Sequence, residues 1–109
     1  EAVEEAEKAL TLFREENDPR GIAEAQCILV KALYLQEEVK AALRRVHMAI
    51  DDADAAGLAD AKAKLKLRAS EVHLAAGDTE KAKRLAQEAK ESFSELQLRS
   101  MEDLACLHL

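Results

Sequence analysis

The chain has 109 residues, of which 49% are hydrophobic and 35% charged, and its formal net charge is −6. A chain of that length can bury one helical core, while the acidic balance disfavours a basic face for a phosphate backbone; the local basic stretches, Lys62 to Arg68 and Lys81 to Arg84, are balanced by nearby Glu and Asp and read as solvated helix faces. No apolar run approaches the ~20 residues of a membrane span, so the sequence predicts no nucleic-acid partner and no membrane insertion.

Fold class follows from what is scarce. Three aromatic residues (Phe13, Tyr34 and Phe93), one Pro and three Gly leave a core of Ala, Leu, Ile and Val, and no strand-like alternation is present. The reading is all-α. A first helix is predicted over residues 1 to about 16, with Val3, Ala6, Ala9, Leu10 and Phe13 at helical period. Pro19 suits a first turn and Asp18 the N-cap before it, which starts a second helix running to about residue 36. Its Ile22, Ala25, Leu29, Ala32 and Leu33 are joined by Ile28, Val30 and Leu35 on other sides, the pattern of a helix sandwiched between neighbours.

Gln36-Glu37-Glu38 reads as a turn without Gly. A third helix, about 38 to 55, carries Val39, Ala42, Leu43, Val46, Ala49, Ile50 and Ala53, and closes at Gly57, which can take the left-handed conformation. A fourth, about 58 to 76, carries Leu58, Ala61, Leu65, Ala69, Val72 and Ala76, and ends at Gly77. Asp78 or Thr79 caps a fifth, about 79 to 95. A sixth is predicted from Ser100, where Ser100-Met101-Glu102-Asp103 has the form of a capping box. With such short connections, neighbouring helices must be antiparallel.

A stripe of small residues recurs at 40-residue spacing, as Ala2, Ala6 and Ala9, then Ala42, Val46 and Ala49, then Ala82, Ala86 and Ala89. An apolar cluster precedes it at a fixed distance, as Leu29, Val30 and Leu33 in one unit and Ala69, Ser70 and His73 in the next. Residue identity at this offset is no higher than the composition produces. Placement carries the repeat.

On these residues the chain resembles the tetratricopeptide repeat family, in which each unit is helix A, a tight turn and helix B. Ala42, Val46 and Ala49, and Ala82, Ala86 and Ala89, match the helix-B stripe, with Val46 and Ala86 where an aromatic is usual. Gly77-Asp78 matches the turn. Val30 and Ser70 stand where helix A has its small residue, and Leu33 and His73 where it has a large aromatic. The unit of 40 residues exceeds the usual ~34 and is similar to the family's long-helix variants.

The resemblance implies a partial repeat 1–17, repeats 18–57 and 58–97, and a partial repeat 98–109, with about six helices stacked as an α-solenoid. Its concave face would be lined by helix A. Carried over, that face presents Glu24, Cys27, Lys31 and Tyr34, then Lys64, Leu67, Glu71 and Leu74, then Leu104 and Leu107. Mixed charges beside Leu and Tyr suit a protein or peptide partner. The plainer role for Tyr34, Leu67 and Leu74 is to cover hairpin junctions.

No catalytic residue, cofactor or metal is expected. His47, His73 and His108 fall on three predicted helices without ligand spacing, and His73 reads as a packed structural residue. Cys27 and Cys106, two hairpins apart, lie beyond disulfide reach and fit a reducing compartment. Asp51-Asp52-Ala53-Asp54 reads as a solvated helix end, since no Gly-containing calcium loop accompanies it. The chain starts and stops inside helical patterns, which suggests a segment of a longer protein. The expected function is a non-catalytic interaction scaffold. The alternatives are a sensor module of a larger signalling protein and a structural subunit of a large complex.

Overall fold

The computed structural model describes the backbone of residues 2–107 and the side chains of residues 2–99. Among the described residues it contains five helices and no strand: α1 (Ala2–Glu15), α2 (Pro19–Leu35), α3 (Val39–Ala55), α4 (Ala59–Ala75) and α5 (Thr79–Leu107). Each of the middle three is 17 residues long. Every connection is three residues long, at 16–18, 36–38, 56–58 and 76–78.

The turns share one construction. Their central residues, Asn17, Glu37, Gly57 and Gly77, have φ of 53°, 62°, 73° and 88° and recur every 20 residues. In each turn the N–H of this residue donates to the carbonyl three residues back, and the next N–H donates to the carbonyl five back, as Asp18 does to Phe13 at 3.0 Å and Asp78 to His73 at 2.9 Å. These bonds satisfy carbonyls that the helix ends would otherwise leave bare, and they require a left-handed residue. Glu37 carries a Cβ into that conformation, where Gly is unstrained. Glu37→Gly is therefore expected to stabilise the fold by about 0.5–1 kcal/mol, the relief of strain outweighing the added freedom of the unfolded chain. A urea midpoint that fails to rise would show that Glu37 is unstrained there.

Helix starts are less uniform. Asp18 Oδ1 accepts from the Gly21 N–H at 3.1 Å, and Asp78 Oδ1 from the Lys81 N–H at 3.3 Å, which makes Asp78 the cap of α5. Glu38 and Leu58, at the equivalent places, make no side-chain cap bond. At the other end of α5 the expectation of a sixth helix is corrected: α5 continues without a break through Ser100 to Leu107. Each of the four turns ends its helix on a left-handed residue, and none of Leu96, Gln97, Leu98 and Arg99 adopts that conformation, so the helical hydrogen bonding carries on. A capping sequence has a role only where the preceding turn has already ended.

Consecutive helices pack together, and α2 also touches α4, whereas the backbones of α1 and α3, and of α3 and α5, stay apart. The core follows this order. Ala6 and Leu10 meet Ala25 and Leu29 between α1 and α2. Val30 meets Ala42, Val46, Ala69 and Val72 where α2, α3 and α4 converge. Ala49 and Ala53 meet Leu65 between α3 and α4. The predicted α3 stripe is fully buried, with Ala42, Val46 and Ala49 each 0% exposed. In α5, Ala82 and Ala89 are buried and Ala86 half-buried; in α1 only Ala6 of its three alanines is fully buried.

Small residues here permit close approach. The Ser70 hydroxyl on α4 reaches the Ala82 carbonyl on α5 at 2.8 Å, joining the small position of one helix to the stripe of the next. At Gly21 an added Cβ would collide with the Phe13 ring, whose Cγ stands 2.6 Å from that point. The chain thus needs glycine on α2 to seat the aromatic of α1.

Candidate functional site

Beside one another, α2 and α4 each leave one stripe in solvent. On α2 it is Glu24, Ile28, Lys31 and Leu35; on α4 it is Lys64, Leu67, Glu71 and Leu74. Steps of three and four residues keep each set on a single helical face. Ile28 is 58% exposed, Leu35 68%, Leu67 45% and Leu74 60%, so four of the exposed large aliphatic side chains fall on these two neighbouring helices. On each helix the two aliphatic residues are seven apart, or about 10 Å along the axis. Charged residues stand between them: Lys31 on α2 and Glu71 on α4.

Of the residues assigned to this face from the sequence, Glu24, Lys31, Lys64, Leu67, Glu71 and Leu74 are exposed on it. Tyr34 is half-buried and packs against the Val30, Val46 and Val72 core, so it closes the hairpin more than it faces solvent. Cys27 is half-buried and free. The side chains of Leu104, Cys106, Leu107 and His108 lie outside the described residues. Ile28 and Leu35 correct the reading of α2 as apolar through contact on all sides. Their signal was present: they continue the Glu24 and Lys31 stripe, which is solvated.

A cavity of about 240 Å³ opens between the two helices, lined by Glu24, Cys27 and Ile28 of α2 and by Ala61, Lys64 and Leu65 of α4. Arg20 and Asp60 also border it and form an ion pair of 2.8 Å between equivalent positions of the two units. The Arg20 hydrogen bond holds the Asp60 carboxyl below the ordinary carboxylate range, against the opposing effect of burial. Both groups are substantially exposed, so the pair aligns α2 with α4 more than it stabilises them. Further along, Arg68 donates to Glu71 at 3.0 Å. Hydrogen bonds to Cys27 first, and to Glu71, raise the Arg68 pKa.

Two polar contacts elsewhere tie the helices together. Gln26 on α2, 1% exposed, donates through Nε2 to Asp52 on α3 at 3.1 Å, and its buried Oε1 has no hydrogen-bond partner. His47 on α3 and His73 on α4 place their Nε2 atoms 3.0 Å apart. His73 is packed, as its apolar helix position predicts, and is 6% exposed; no sequence spacing pairs it with His47. Among the described residues no group of three or more His, Cys, Asp or Glu converges in a way that could hold a metal ion, and no helix is long and apolar enough to cross a membrane.

No protein-family model matches this chain, and no curated protein and no solved structure matches it.

Proposed function

We propose that this chain is a tetratricopeptide-like helical-repeat segment that holds a partner peptide on the α2–α4 face and performs no chemistry of its own. The observation that carries the reading is the placement of Ile28, Leu35, Leu67 and Leu74 in solvent on two touching helices, with Glu24, Lys31, Lys64 and Glu71 around them. Aliphatic anchors about 10 Å apart, flanked by both signs of charge, suit an amphipathic segment that supplies apolar side chains at matching spacing.

The contact order supports a solenoid. α2 touches α4, while α1, α3 and α5 stay apart from one another at the backbone. A row of helices in contact opposite a row held apart describes a curve with the first row inside. The cavity on that row, about 240 Å³, is smaller than a typical small-molecule site of ~300 Å³ or more. On this face, that favours an extended partner over a small ligand.

Selection of peptides from a random library on the immobilised chain tests the proposal. The double variant Ile28→Glu, Leu67→Glu is expected to bind the selected peptides about tenfold or more weakly with an unchanged thermal melt, because both side chains are already in solvent. Lys31→Glu with Lys64→Glu is expected to shift the preferred peptide charge towards basic. Peptides that bind parent and variants equally would move the interface off this face.

A further inference from the structure

The 40-residue units meet where α3 packs on α4, and one contact there is chemically unusual. His47 and His73 face each other through Nε2 at 3.0 Å, with ring centroids 5.2 Å apart and planes at 64°. Those distances put both nitrogens close to the line between the rings, nose to nose. Two lone pairs cannot be held that way, and neither can two N–H groups. One ring must carry its proton on Nε2 and donate it, and the other must carry its proton on Nδ1 and accept.

We propose that His47 and His73 form a proton-sensitive clasp across the junction between the two units, closed while one Nε2 is bare and opened when both are protonated. The inference does not depend on what the α2–α4 face binds. Its surroundings point the same way. His73 is 6% exposed, so a charge on it would be poorly solvated. The groups that face the pair come from three places. Lys81, Arg84 and Glu88 of α5 line a shared cavity of about 220 Å³ with both rings, Asp78 lies in the α4–α5 turn, and α3 contributes His47 itself. Glu88 is already engaged by Lys66 at 3.2 Å, so of the neighbouring charges Asp78 favours a cation on His73 while His47 and Lys81 oppose it. Lys81 and Arg84 make the pair a poor place for a metal ion.

Burial first, then His47, hold the His73 pKa below its ordinary 6.5; Asp78 partly offsets them, and Lys81 adds a smaller push downward. The unfolded chain therefore takes up this proton at higher pH than the folded chain. The contribution to stability is complete above the unfolded pKa, 6.5, and is lost as pH falls through the folded one. Over that interval the folding constant falls roughly tenfold per pH unit.

The test is carried out on the whole chain. Long-range nitrogen–proton spectra of the imidazoles near neutral pH are expected to show one Nε2–H and one Nδ1–H tautomer for the two residues. Urea midpoints measured at about pH 7.5 and about pH 5 are expected to fall more in the parent than in His47→Gln or His73→Gln. An amide can turn to accept from a protonated ring or donate to a neutral one, so either substitution removes the conflict. If His73→Gln fails to fold, His47→Gln carries the test alone, because position 47 is exposed. Matching tautomers on the two rings, or midpoints that fall in parallel in parent and variant, would overturn the clasp.

Discussion

Ala42→Trp is expected to lower the stability of the fold by about 1–3 kcal/mol or more, a large fraction of the ~5–15 kcal/mol that holds a domain folded. Ala42 is 0% exposed and belongs to the cluster in which Val30 of α2 and Ala69 and Val72 of α4 close on α3. Three helices converge on that methyl group. An indole there has no empty volume to enter, so it must push α2 or α4 away and separate contacts along both seams. Urea denaturation monitored by circular dichroism measures the loss. A silent substitution would mean that the seam is loosely packed, and the reading of the alanine stripe as a packing surface would fail.

Leu29→Ala is expected to cost about 2–5 kcal/mol by the opposite route. Leu29 is 0% exposed between Ala6, Leu10 and Ala25, where the neighbouring alanines have no length with which to fill a vacated space. The cavity would persist. The midpoint should fall while the slope of the urea transition stays unchanged, because the unfolded state exposes nearly the same surface. A loss below about 1 kcal/mol would show that α1 settles onto α2 and closes the gap. That outcome would mark α1 as the least firmly held helix.

These two substitutions act on interfaces of different legibility. The Ala42, Val46 and Ala49 stripe could be read from period alone, because helical geometry places residues at four and three on one side. The Leu29 pocket could not be read so directly. α2 is apolar around most of its circumference, and period does not distinguish Leu29, which is buried against α1, from Ile28, which is exposed. That choice was made by the neighbours α2 acquired.

The candidate face divides in the same manner. Lys64, Leu67, Glu71 and Leu74 could be placed together from sequence, since one helix fixes their mutual position, and they share an exposed stripe. Their placement beside Glu24 and Lys31 came from the 40-residue offset, which the Arg20–Asp60 ion pair marks in three dimensions. Tyr34 is drawn partly inward because Leu33, Val39 and Leu43 pack on the same core cluster.

By itself the sequence determined the all-helical class, the first four helix ends, the left-handed turn at Gly57 and the turn at Gly77, because caps, glycine and apolar period act within a few residues of one another. It did not determine contacts between residues far apart in the chain. Reflecting α3 onto α4 about Gly57 would set His47 opposite Leu67, yet the ring it meets is His73, more than a turn further on. That slip depends on the tilt and slide of one helix against another, which side-chain packing across three helices sets. Only the tertiary structure could decide it, and with it the His47–His73 pair and the exposure of Ile28 and Leu35.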